Sequence, residues 1–235
     1  MNQNSEPGSL RLIFTLTLAG LLSGLAIVGI YDATLPRITA NKAKALQTAV
    51  FKVLPGTATL QEIGYRDGTL FVQELHDPSV ESVYAGFDGK DQLVGYAIPG
   101  EGPGFQDTIK LLYGYRPDQG IIAGMEVLES RETPGLGDKI YKDLDFVASF
   151  QGLRPDPAIR AVKKNTGSAP NEINAITGAT ISSVAVVNII NETNTRWLPR
   201  LIDPPDGKPV YQIYREFREA GSKVGQGPDP RDTAQ

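Results

Sequence analysis

The sequence predicts an α+β protein: an N-terminal transmembrane helix and stalk, followed by an antiparallel-sheet domain with packed helices. Three observations predict it. Residues 12–30 contain no charged side chain. Beyond residue 70 come five short runs rich in Val, Ile and Tyr, divided by turn-forming residues. The 235-residue chain holds 25 glycines and 17 prolines. That is about 18 % of the chain against roughly 12 % in average usage, which favours many turns over a helical bundle.

Taken in order, the apolar run 12–30 would span about 28 Å as a helix, close to the ~30 Å hydrocarbon thickness of a bilayer. Arg11 stands at one end, and Asp32, Pro36 and Arg37 lie beyond the other. Gly20 and Gly24 form a GxxxG pair suited to a close helix partner. A cleaved signal peptide is the rival reading, but its apolar core would be shorter and no small-x-small site follows at a good distance. The retained anchor is therefore preferred. Residues 37–54 carry Ile38, Ala45, Leu46, Ala49, Val50, Val53 and Leu54 at helical spacing, ended by Pro55-Gly56. That pattern predicts a stalk helix whose apolar stripe docks on the domain.

Strands are expected at 70–75, 82–87, 93–98, 108–115 and 121–128, with turns at Asp88-Gly89 and Asp118-Gln119-Gly120. Residues 138–150 read as partly helical, 158–163 as a strand and 179–193 as a helix. Trp197, Pro199, Pro204 and Pro205 should close the packed body. A surface helix at 211–220 and a polar Gly/Pro-rich tail at 221–235 complete the reading.

Composition excludes several chemistries. There is no cysteine and His76 is the single histidine. Thiolate zinc, iron–sulfur ligation, c-type haem, disulfides and a cysteine nucleophile are ruled out, as is a bis-histidine centre within the chain. No metal site is expected, and redox chemistry would require an organic cofactor. With 27 acidic against 23 basic residues and a net charge of −4, the chain does not look like a nucleic-acid binder.

Motif by motif, no Gly-x-Ser-x-Gly elbow is present, and no self-contained catalytic residue is expected. The run Gly100-Glu101-Gly102-Pro103-Gly104 fails as a dinucleotide loop, because Phe105 stands where the third glycine belongs. Asn191-Glu192-Thr193 matches a glycosylation sequon but falls inside a predicted helix. His76, before Asp77-Pro78, reads as a turn residue.

Two segments stand out. In Glu132-Thr133-Pro134-Gly135-Leu136-Gly137-Asp138-Lys139, Pro134 restrains the backbone while Gly135 and Gly137 permit unusual dihedrals. Such a loop can bring backbone N–H groups against a planar or anionic ligand, or it can simply be a tight strand-to-helix connection. In Thr177-Gly178-Ala179-Thr180, hydroxyl residues open a helix whose N-terminus favours anions. Thr177 alone would satisfy the cap, which leaves the Thr180 hydroxyl over.

These two segments, with Val162-Lys163-Lys164 between them, resemble the covalent FMN-binding domain. That domain occurs in the G subunit of Rnf (Rsx) ion-translocating electron-transport complexes and in the C subunit of the sodium-translocating NADH:quinone reductase. Order and spacing are closer to the Rnf protein, over roughly residues 10–200. The resemblance implies FMN attached by a phosphoester bond to Thr180, installed from FAD by a separate flavin transferase. Thr177, Gly178 and Ala179 then belong to the attachment motif, and Thr133, Pro134, Gly135, Leu136 and Gly137 to the ring pocket. Lys163 becomes a candidate contact for flavin or phosphate. The family motif carries Asp six residues before the modified Thr; Asn174 stands there, keeping hydrogen bonds but losing a charge.

The resemblance further implies an electron-transfer subunit partnered by the other Rnf subunits and by membrane lipid. Its layout would be a cytoplasmic N-terminus at 1–11, a transmembrane helix at 12–31, a helical stalk at 32–56, a periplasmic FMN-binding domain at 57–200 and a partly disordered extension at 201–235. Charge counting alone slightly favours the opposite orientation, since Arg37, Lys42 and Lys44 follow the span. Without the resemblance, a membrane-anchored binding or sensory ectodomain fits the same residues.

Overall fold

A computed structural model describes residues 8–163, 166 and 169–224. The chain divides into two compact units, one ending at Leu46 and the other beginning at Gln47.

The first unit is made of helix. α1 (Ser9–Val53) runs through both expected segments as one element of 45 residues. Pro36 lies inside it, costing a backbone hydrogen bond without ending the helix. Its apolar window has a mean hydropathy of 2.2 and is long enough to cross a membrane.

The second unit is built on a six-stranded sheet. In chain order its strands are β1 (Thr59–Arg66), β2 (Thr69–Val72), β3 (Glu81–Phe87), β4 (Leu93–Pro103), β5 (Thr108–Arg116) and β6 (Ile121–Glu129). They pair antiparallel in the order β2-β1-β3-β4-β5-β6. After the sheet come two short helices, α2 (Lys139–Lys142) and α3 (Leu144–Ala148). A small parallel pair follows, β7 (Arg160–Val162) with β8 (Glu172–Asn174). The long helix α4 (Thr180–Ile202) and α5 (Val210–Val224) end the described chain.

Glycines decide how the layers meet the sheet. A Cβ on Gly100 or Gly102 would stand 2.8–2.9 Å from Ile189 or Thr193 of α4. On Gly114 it would stand 2.1 Å from the Val53 carbonyl. Since side chains alternate along a strand, α4 covers one face and the end of α1 the other. Ala49, Val50 and Val53 are accordingly buried. The glycine run at 100–104 is thus mostly strand, and Gly100 and Gly102 stand where the α4 side chains Ile189 and Thr193 press on the sheet.

Several expectations need correction. β1 went unread and now separates β2 from β3. The strand expected at 70–75 ends at Val72, and Leu75 is exposed. The packed body does not close at Trp197. α4 continues through that buried residue and Pro199 to Ile202, and α5 packs beyond it. Tyr214 of α5 stacks on Phe87, with ring centroids 3.8 Å apart and planes 15° from parallel. The expected loose tail is helical as far as Val224, and its remainder, 225–235, lies outside the described residues.

Candidate functional site

Beyond β6 the chain reaches Glu132, whose side chain is only 5 % exposed. One carboxylate oxygen accepts the Gln106 amide at 2.9 Å, and the other accepts the Ser182 hydroxyl at 2.5 Å. Burial alone would raise this carboxyl. Hydrogen bonds from Ser182 and from the backbone of Gln106, Asp107 and Phe105 outweigh it and hold the group below its ordinary value of 4.5. Three chain segments therefore meet on one ionised carboxylate. Two glycines make room for it: a Cβ on Gly104 or on Gly137 would lie 2.4 Å from a Glu132 oxygen.

The loop after Glu132 is a compact turn. The Thr133 carbonyl accepts the Leu136 amide at 3.1 Å, and Gly135 turns through φ +79°. The Gly135 N–H donates to Asp138 at 2.8 Å. Lys142, 2.6 Å away, holds the Asp138 carboxyl below the usual carboxylate range. The turn leaves Leu136 52 % exposed.

The second segment follows β8. Gly178 turns at φ +83°, and α4 starts at Thr180 with Ala179 in the cap position. Thr177 is not the cap. Among the described residues no side chain bonds the first amides of α4, so those N–H groups keep their capacity for an acceptor. Three hydroxyls sit at this helix start. Ser182 is bound to Glu132, and Ser183 donates to the Ala179 carbonyl at 2.9 Å while accepting the Ile176 amide at 3.1 Å. Thr180 is exposed, and among the described residues its hydroxyl makes only a long contact of 3.5 Å to the Ile176 carbonyl.

Both segments line one cleft of about 320 Å³, bounded by Phe105, Thr133, Leu136, Gly137, Gly178–Ser182. Thr133 also ties its rim, donating to Gln106 at 2.6 Å. The structure thus brings Thr133, Leu136, Gly137, Gly178, Ala179 and Thr180 together. Pro134 and Gly135 shape the loop from behind. Thr177 faces a neighbouring cleft of about 330 Å³ with Asn174 and Lys139. Lys163 lies just beyond the end of β7, is exposed, and lines neither cleft. Asn191, in the chance sequon, holds both backbone groups of Ile159.

Sequence reading missed four contributors. Phe105, 64 % exposed, was seen only as the residue that breaks a glycine pattern. Ser182 and the strut role of Glu132 depend on partners far apart in sequence. Lys139 follows the loop motif, and nothing in its spacing signals a role.

A family model described as the FMN-binding domain matches residues 104–194, which span every part of this cleft. The chain is 33 % identical over 198 residues to the G subunit of the ion-translocating oxidoreductase complex of Pasteurella multocida, covering 79 % of this chain and 92 % of that one. It is 32 % identical over 146 residues to the G subunit of the sodium-translocating ferredoxin:NAD(+) oxidoreductase complex of Acetobacterium woodii, covering 60 % and 68 %. Among solved structures, NqrC of Shewanella oneidensis matches with a TM-score of 0.54 at 16 % identity, over 77 % of this chain and 99 % of that one. At that identity the likeness speaks for the fold.

Proposed function

As the chain belongs to the G-subunit family of Rnf-type ion-translocating oxidoreductase complexes, we propose that it is a flavin-carrying electron-transfer subunit, with FMN joined by a phosphoester bond to Thr180. One observation carries the choice of residue. Of the three hydroxyls at the start of α4, Thr180 alone is exposed, lies in the cleft and has no good hydrogen bond to lose.

The residues fit such a group. Phe105, Leu136 and Ile181 are exposed apolar side chains around the cleft, suited to a flat ring. The uncapped amides of α4 suit a phosphoryl anion. In the attachment step the Thr180 oxygen forms a bond to the flavin-side phosphorus of FAD. The bond to AMP breaks, and the hydroxyl proton passes to a base of the flavin transferase. FMN supplies reversible electron transfer when bound. The chain's own residues do the rest: Leu136 and Phe105 exclude water, the α4 amides orient the phosphoryl group, and Glu132 fixes Ser182 next to Thr180.

A membrane anchor in α1, a domain facing the periplasm and a place among the other Rnf subunits complete the proposal. A covalent tether keeps a flavin from being lost to dilute surroundings. Asn174, six residues before Thr180, predicts slower modification than an Asp would allow.

The test is a denaturing gel of the full chain co-expressed with flavin transferase. Fluorescence in wild type and none in Thr180→Val is the expected result. A dark wild type, or a tryptic peptide containing Thr180 with no added FMN mass, would overturn the proposal. Protease added to intact spheroplasts should cleave the domain; a protected domain would reverse the orientation.

A further inference from the structure

A phosphoryl group at Thr180 brings negative charge to a cleft lined mostly by apolar and backbone groups, where a neighbouring cation would give it a charge-assisted partner. We infer that Lys139 supplies it, as the binding residue for that phosphoryl group. The inference rests on the proposed attachment at Thr180.

The geometry starts from Gly178. Its Lys139 neighbour places Nζ 3.8 Å from where a Cβ would stand. The ammonium therefore lies against the bare backbone of the turn two residues before Thr180. A Cβ at position 178 would make only ordinary contact with Nζ, and it is the φ of +83° that disfavours a side chain there.

The charge has no direct carboxylate partner, although it adds to the field that holds the Asp138 carboxyl low. Among the described residues, Lys139 forms no ion pair. Its neighbour Asp138 is engaged by Lys142 at 2.6 Å and by the Gly135 amide at 2.8 Å. Asp143 and Asp145 share the adjoining cleft with Lys139. Asp143, however, turns its carboxylate to the amides of Asp145 and Phe146, each at 3.1 Å. The uncapped start of α4 adds partial positive charge from the other side.

The placement is built by the same turn that exposes Leu136. Lys139 donates its backbone N–H to the Leu136 carbonyl at 3.3 Å and opens α2 directly afterwards. One loop thus carries both an apolar wall of the cleft and a cation. Lys163, which the resemblance suggested for contact with flavin or phosphate, stands outside both clefts.

The test uses the full chain in detergent, co-expressed with flavin transferase, as wild type, Lys139→Met, Lys139→Arg and Lys110→Met. Melting curves of the unmodified proteins establish that each folds. In the modified proteins the phosphorus-31 resonance of the attached phosphodiester is the readout of charge contact. Lys139→Met should shift that resonance and slow flavin attachment about tenfold, the worth of a hydrogen bond to a charged group. Lys139→Arg should restore both, and Lys110→Met should match wild type. An unshifted resonance in Lys139→Met overturns the inference, as does equal loss in Lys139→Met and Lys139→Arg. A dark wild type is a different result, because it removes the attachment at Thr180 itself.

Discussion

The cleft beside Thr180 and the depression against α5 differ in a way that volume conceals. The second is larger, about 760 Å³ against 320 Å³, and is lined by Lys90, Asp91, Tyr214, Arg215, Arg218 and Glu219 among others. Much of its chemistry is already used. Arg218 approaches Asp91 at 3.7 Å and donates to the Tyr214 hydroxyl at 3.2 Å, while Tyr214 spends its ring on Phe87. The smaller cleft keeps a weakly bonded hydroxyl, uncapped amides and exposed apolar side chains on a stiff frame. What marks a site here is interaction capacity left unspent, and size is a poor guide to it.

The contrast breaks if chemistry follows the larger depression. The largest expected effect is at Thr180. Thr180→Val should abolish covalent flavin altogether, while Thr177→Val, three residues away but in the adjoining cleft, should stay fluorescent in the same gel. Reversal of that pair would move the site. Next in size is Tyr214→Ala, which removes a buried aromatic ring and should lower stability by about 3 kcal/mol. Its flavin attachment at low temperature should match wild type. Loss of flavin in folded Tyr214→Ala would mean that the α5 side takes part in the site.

Both regions were legible in the sequence to different degrees, for physical reasons. The five apolar runs read as strands do contain strand, because period-two alternation is a local property. β1 escaped because Gln61 and Glu62 interrupt its alternation, and it is held by seven paired positions on β3. The end of the packed body was misjudged because proline normally stops a helix. Pro199 is carried inside α4, whose flanking residues Trp197 and Leu201 are buried. At the site, the two loops were visible through their glycines, yet the reason for Gly137 was not. The Glu132 carboxylate fills the space a Cβ there would need, a proximity that no spacing rule encodes. Phe105 and Ser182 join the cleft through tertiary contacts alone.

Glu132 sharpens the comparison, since it is a buried carboxylate strut whereas Asp91 in the α5 depression is half exposed. Glu132→Gln keeps the shape but gives up charge-assisted bonds to Ser182 and Gln106, and should cost about 1–3 kcal/mol at neutral pH. Its folded-state carboxyl lies below the ordinary 4.5, so the stabilisation is fully present above about that pH. It should be lost as pH falls through the lowered folded value. Denaturant midpoints of wild type should therefore decline more steeply than those of Glu132→Gln in the acid range. Parallel curves would remove the carboxylate from the frame.

The smallest effect tests whether the apolar walls serve the flavin or the fold. Leu136 is half exposed, so Leu136→Ala should change stability by no more than about 0.5 kcal/mol. If Leu136 contacts the ring, the attached flavin in Leu136→Ala should rotate more freely and its fluorescence anisotropy should fall. Phe105→Ala, at another part of the cleft lining, should act in the same direction. Gln92→Ala, in the α5 depression, should leave the anisotropy where it was. A normal anisotropy in both Leu136→Ala and Phe105→Ala would mean that the flavin hangs from Thr180 outside the cleft. In that case these exposed apolar side chains would need another partner, since burial does not account for them.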